Sequence, residues 1–231
     1  MEYAKLPRRS LLGLGAAMLA VTATATAADA AFPAAAAPLP APADPWQRLV
    51  AGNKRFAAGR PRHPRQDTAH RVSLVEAQHP FACVLGCADS RVPAEILFDQ
   101  GLGDLFTVRA VGEVLDDAVV GSIDYAVEHL HVPLVVILGH SGCGAVKAAI
   151  DLVDGTSEVT GAVDTVARAI ESTVRATPPS PDDAAFLAAC VRNQTTYVAQ
   201  ELTRRSHAMA TVRPRIVTAV YDLRTGLVVR H

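Results

Sequence analysis

Pro133-Leu-Val-Val-Ile-Leu-Gly139, followed at once by His140-Ser-Gly-Cys143-Gly144, decides the fold. Proline and glycine bound a short, uninterrupted apolar run rich in β-branched residues, which predicts a buried strand. The run does not alternate with polar residues, so both of its faces are expected to be covered. Phe81-Ala-Cys-Val-Leu-Gly86 repeats the pattern and leads directly into Cys87-Ala-Asp89-Ser-Arg91. Leu105–Val108 reads as a third strand. Arg215–Tyr221 reads as a fourth, with a hairpin extension at Gly226-Leu-Val-Val. Amphipathic or apolar segments predict helices over Asp44–Ala58, Ala118–Leu130, Ala145–Val153, Val159–Ala176 and Asp182–His207. Strands alternating with helices predict an α/β fold: a mainly parallel sheet flanked by helices.

The residues directly after the strands ending at Gly86 and Gly139 carry the chemistry. In an open parallel sheet, sites form outside the carboxyl ends of strands. If the strands ending at Gly86 and Gly139 are neighbours, Cys87, His140 and Cys143 converge. Two thiolates and an imidazole suit zinc, a borderline-soft ion that prefers tetrahedral ligation. A structural zinc site would close with a fourth Cys or His, whereas three ligands and an open position are a catalytic pattern. The fourth position is left to water or to Asp89. Zinc lowers the pKa of bound water from about 15.7 towards about 7, so hydroxide becomes available near neutral pH. Arg91, two residues beyond Asp89, can hold that carboxylate by paired charge-assisted hydrogen bonds. Asp89 and Arg91 are therefore the expected catalytic pair, with Arg91 deciding whether Asp89 meets the metal or orients its hydroxide.

The rest of the chain sets the context. It has 231 residues, half of them hydrophobic, and a formal net charge of −1. That allows one globular domain with a sizeable core and offers no basic surplus for nucleic acid. Lys5-Leu-Pro-Arg8-Arg9 precedes a short apolar run, Leu11 to Val21, and small residues follow up to Ala28-Asp29-Ala30. This layout predicts an export signal over residues 1–30, of the twin-arginine type, with an ordinary Sec signal as the alternative. The run is too short to span a bilayer, so no stable membrane anchor is expected after processing. Residues 31–43 are an Ala/Pro-rich linker. The domain is expected over 44–231, placed in the periplasm or outside the cell. No function is read into residues 151–181.

CADSR followed by GHSGCGAV resembles the β-carbonic anhydrases. So do LVAGNKRF, VPAEILFDQGLGDLFTVRAVG, GSIDYAVEHL and AVYDLRTG, so the resemblance covers roughly Trp46 to Gly226. It implies a carbonic anhydrase (carbonate dehydratase, a lyase). One Zn²⁺ per chain, held by Cys87, His140 and Cys143, would hydrate carbon dioxide reversibly to bicarbonate and a proton through zinc-bound hydroxide. It also implies a homodimer or a tetramer of such chains. By position, Asp89 and Arg91 match the catalytic pair, and Val92, Tyr125 and Gly144 match positions near the substrate. Three positions depart from relatives. Val84 replaces a tryptophan found in a bicarbonate-regulated subgroup, Gln100 is shifted by one residue from a substrate donor, and Glu113 replaces a small amide residue.

Plainer readings stand beside these. Each cysteine taken singly would be a core thiol, and it is the joint pattern that makes Cys87 and Cys143 ligands. Cys83 and Cys190 are expected as core thiols, with a disulfide open to them outside the cytoplasm. Arg109 is expected to organise a strand end. The same chemistry could act on another small linear electrophile such as carbon disulfide. A non-catalytic zinc module would not need Asp89 and Arg91, and a thiol redox protein would carry the CxxC that is absent here.

Overall fold

The computed structural model describes residues 44–231; the expected export signal and linker lie outside the described residues. The helices are α1 (Pro45–Ala57), α2 (Thr68–Ser73), α3 (Ala94–Leu97), α4 (Asp117–Glu128), α5 (Gly144–Val153), α6 (Ala162–Ala176), α7 (Asp183–Arg205) and α8 (His207–Thr211). The strands are β1 (Ala82–Gly86), β2 (Leu105–Arg109), β3 (Leu134–His140), β4 (Arg215–Tyr221) and β5 (Val228–Arg230). They form one sheet in the order β2-β1-β3-β4-β5. The first four run parallel, and β5 returns antiparallel to β4 as the hairpin extension. Among the described residues, no helix is long and apolar enough to cross a membrane.

Every residue of β1 and β3 is buried, as an apolar run without alternation requires. Ala82, Val84, Val136 and Leu138 face one layer, with Trp46 and Leu49 of α1 and Leu97 of α3. Cys83, Leu85, Val135 and Ile137 face the other, with Ile123 and Val127 of α4 and Val198 and Leu202 of α7. Cys83 and Cys190 are both buried free thiols in separate apolar clusters. The Cys83 thiol is pushed up to about 12 by burial, so it is inert packing.

α1 begins where Asp44 accepts a hydrogen bond from the Trp46 backbone N–H and Pro45 fixes the first turn. It sits very close to the chain beneath it, because a Cβ on Gly52 would stand 1.7 Å from the Phe98 carbonyl oxygen. The neighbouring Asn53 is buried, and its side chain donates to the Leu97 and Gly226 carbonyls and accepts from the Val228 N–H.

The short elements α2, α3, α8 and the 3-10 turn Val111–Glu113 carry no readable period and were not expected from the sequence. β1 pairs with β2 on one side and β3 on the other, so the chain reverses its direction of travel across the sheet at β1. That reversal opens a crevice at the carboxyl ends of β1 and β3.

Candidate metal centre

Gly86 is level with Leu138 in the β1–β3 ladder, so the chain leaves β1 at Cys87 beside the end of β3 at His140. The loop then turns into α5, with Cys143 as its N-cap. Cys87, His140 and Cys143 are all buried, and their ligand atoms lie within 4.8 Å of one another. Two thiols and one imidazole gathered this closely are a donor set that fits a zinc ion.

The imidazole is already prepared for that role. His140 Nδ1 lies 3.1 Å from the Ser141 carbonyl oxygen, which fixes Nδ1 as the donor. Nε2 is then an acceptor, and it is buried with no hydrogen-bond partner. An orphaned imidazole nitrogen beside two thiols is a donor set suited to a cation. The thiols agree with it. The neighbouring Cys143 thiol first, then His140 and the Gly112 N–H, push the Cys87 thiol down against the effect of burial. Cys143 is pushed up by the same contact with Cys87, by burial and by Glu113.

Asp89 lies at the rim. Arg91 donates from Nε to Oδ1 at 2.9 Å, from Nη2 to Oδ2 at 2.7 Å and from its backbone N–H to Oδ1 at 2.9 Å. The guanidinium holds the carboxyl well below the usual carboxylate range. Asp89 Oδ2 is 3.9 Å from His140 Nε2, so the carboxylate faces the ligand cluster while bound to Arg91. Arg109 ties down the loop beneath, donating to the Cys87 carbonyl at 3.0 Å and the Asp89 carbonyl at 2.5 Å. Its expected part as organiser of a strand end takes this concrete form.

A cavity of about 570 Å³ opens beside the cluster. Cys87, Asp89 and Gly144 edge it, and Val111, Ala148, Val163, Val166 and Ala167 form an apolar wall. Ala162, Val163, Val166 and Ala167 belong to α6, inside the stretch 151–181 into which the sequence reading put no function. The wall therefore corrects that reading: helical packing of α6 against α5, not a motif, brings these residues to the site. Of the three positions expected near substrate, Gly144 edges the cavity, with open space where a Cβ would stand. Val92 is buried in the core against α1 and α3. Tyr125 is 47% exposed on α4, its ring 6.1 Å from Phe106 and 5.1 Å from His129.

The turn at Val111–Glu113 adds Gly112 and its partner Gln194, which the sequence did not single out, and Glu113, which it marked only as a departure from relatives. Gly112 donates its N–H to Cys87 Sγ at 3.4 Å. Glu113 is buried with a positive φ of 53°, and burial first, then the Cys87 charge, raises its carboxyl well above the ordinary range. Gln194 of α7, also buried, donates to the Gly112 carbonyl at 3.2 Å. An amide inside a long helix gives no signal in the sequence; Gly112 stood only within the longer VPAEILFDQGLGDLFTVRAVG match.

Comparison with known proteins points one way. A profile of the carbonic anhydrase family matches residues 82–228. Carbonic anhydrase 2 of Mycobacterium tuberculosis (strain ATCC 25618 / H37Rv) is 60% identical over 112 residues, which is 48% of this chain and 54% of that protein. The carbonic anhydrase of Mycolicibacterium smegmatis is 61% identical over 109 residues, 47% of this chain and 53% of that protein. The matched stretch thus spans about half the length of these curated relatives. Among solved structures, the β-carbonic anhydrase CafA of Aspergillus fumigatus superposes with a TM-score of 0.61 at 27% identity, covering 81% of this chain and 91% of that one. The Coccomyxa β-carbonic anhydrase, solved with acetazolamide, gives 0.63 at 24% identity, covering 82% and 86%, and speaks for the fold alone.

Proposed function

The chain belongs to the β-carbonic anhydrase family, and from that membership we propose that it hydrates carbon dioxide reversibly to bicarbonate and a proton. One zinc per chain is held by Cys87, His140 and Cys143. The observation that carries this reading is the buried, unpartnered His140 Nε2 set among two thiols at the mouth of an apolar cavity. When bound, zinc would supply Lewis acidity that makes water a nucleophile near neutral pH.

The chain's own residues do the rest. Ser141, by accepting from Nδ1, keeps the Nε2 lone pair of His140 aimed at the cluster. Asp89, kept ionised by Arg91, offers Oδ2 as a hydrogen-bond acceptor on the rim and so orients an attacking water. Arg109 fixes the backbone that carries both Cys87 and Asp89. The wall of Val111, Ala148, Val163 and Val166 is free of charge and suits a small apolar molecule such as carbon dioxide. Gly144 leaves that approach open, and we assign it the substrate contact ahead of Val92 and Tyr125.

Stopped-flow hydration with a pH indicator tests this reading. The purified chain should accelerate hydration, lose the acceleration when zinc is stripped by a chelator, and regain it on adding zinc. An inactive protein with full zinc, or an active one without it, would contradict the proposal.

Two further readings go with it. The chain assembles as a homodimer or tetramer; one solved relative by fold is described as tetrameric, and Ile96, Leu102 and Val111 leave apolar surface exposed. A sedimentation mass equal to one chain at micromolar concentration would refute this. Residues 1–30 direct export by the twin-arginine route, motivated by Arg8-Arg9 before a short apolar run. Changing both arginines to lysine should keep the protein inside the cell, and unchanged export would exclude that route.

A further inference from the structure

Gly112 is the hinge of the turn that touches Cys87. Its φ of 65° is left-handed, and a Cβ there would stand 2.6 Å from Ile170 Cδ1 and 2.9 Å from Ala145 Cβ. Only glycine fits between α5 and α6 at this point, and glycine by itself leaves the backbone torsions loosely set. The structure pins both sides of that hinge. On one side the Gly112 N–H donates to Cys87 Sγ at 3.4 Å, and on the other the Gly112 carbonyl accepts from Gln194 Nε2 at 3.2 Å. Gln194 is 2% exposed and sits on α7, the longest helix among the described residues, whose neighbouring residues Val191 and Val198 are packed in the core.

We propose that Gln194 is a positioning residue for the metal centre: by holding the Gly112 carbonyl it keeps the Gly112 N–H on the Cys87 sulfur. The proposal rests on the reading of Cys87, His140 and Cys143 as a zinc site. Donors in the second layer around a metal orient its ligands and tune their electron donation. Here the tuned ligand is a thiolate. An N–H donor withdraws charge from sulfur and fixes its direction, and without the anchor the glycine hinge is free to turn its N–H away. Removing the Gln194 donor should therefore weaken metal binding, by at most the roughly 10- to 100-fold typical of losing a ligand's direct partner. The sulfur, relieved of its hydrogen bond, also becomes more electron-rich, which opposes that loss in affinity only in part and shows separately in its electronic spectrum.

Both effects are read without measuring turnover. Zinc affinity is taken from competition with a chromophoric chelator, and the cobalt-substituted protein reports the sulfur through its thiolate-to-cobalt charge-transfer band. Gln194→Met keeps the length of the side chain and lacks the donor; Val198→Ala on the same helix is a purely structural control. Gln194→Asn, too short to reach Gly112, serves if the first variant does not fold. The expected result is weaker zinc binding and a charge-transfer band moved to lower energy in the Gln194 variant, with neither change in Val198→Ala. Wild-type affinity and an unmoved band in the Gln194 variant overturn the proposal, as does the same change in Val198→Ala. A wild-type chain that binds neither zinc nor cobalt overturns the underlying metal-site reading instead.

Discussion

Asn53→Leu should be among the most destabilising single changes on the α1 side of the sheet. The Asn53 side chain donates to the Leu97 carbonyl at 3.1 Å and the Gly226 carbonyl at 2.9 Å, and accepts from the Val228 N–H at 2.8 Å. It thereby fastens α1 to the end of α3 and to the turn between β4 and β5. The same turn is held on its other side by the Leu223 N–H, which donates to Ser141 Oγ, next to the His140 ligand. Leucine fills a similar volume but leaves three backbone groups without partners. Leu97 is buried, so its carbonyl bears the full cost of a lost partner, about 1–3 kcal/mol. Gly226 and Val228 are half-buried and regain some water, so about 0.5–1.5 kcal/mol each applies. The expected loss is about 2–6 kcal/mol, read as a lower urea midpoint of the zinc-loaded protein. Asn53→Asp should be no milder at pH 7. It keeps the acceptor for Val228 but sets a carboxylate oxygen against two carbonyl oxygens, and it should recover partly in acid, where a protonated oxygen can donate. If Asn53→Leu unfolds within about 0.5 kcal/mol of the wild type, these bonds do not hold α1 in place.

Arg91→Ala should leave folding almost unchanged, because the guanidinium is mostly in solvent, yet lower carbon dioxide hydration about a hundredfold. Asp89→Asn should lose a similar amount with its zinc retained; wild-type rates in both variants would reduce the pair to a surface ion pair. Glu113→Gln should stabilise the chelated protein at neutral pH. The raised folded-state pKa means the native protein keeps a proton that the unfolded chain releases above about pH 4.3, so wild-type stability falls as pH rises through that window. The gap between variant and wild type should widen from pH 5 to pH 7 by up to about 1.4 kcal/mol per unit, and a gap independent of pH would show Glu113 ionised in the fold.

How far the sequence can be read depends on what each feature needs. β1 and β3 were legible because five or more successive apolar residues between helix-breaking neighbours leave little alternative, and the structure buries all of them but Phe81, which is half-buried at the start of its run. The ligand set was legible because each motif follows directly on such a strand, and parallel neighbours bring their ends together. α3 and the Val111–Glu113 turn span about one helical turn each, too little for a repeat to show, so the sequence gives no notice of them. The apolar wall from Ala162, Val163 and Ala167 depends on how α6 crosses α5, which is a matter of packing. Gln194 is the clearest case: its value lies in reaching Gly112, 82 residues away, across the core.

X-ray absorption at the zinc edge of the purified chain tests the central claim most directly. Two sulfurs at about 2.3 Å with two nitrogen or oxygen neighbours at about 2.0–2.2 Å are expected, and Cys143→Ser should remove one sulfur from the shell or abolish zinc binding. A shell of four sulfurs, or one with no sulfur at all, would contradict a zinc held by Cys87, His140 and Cys143 with one position open.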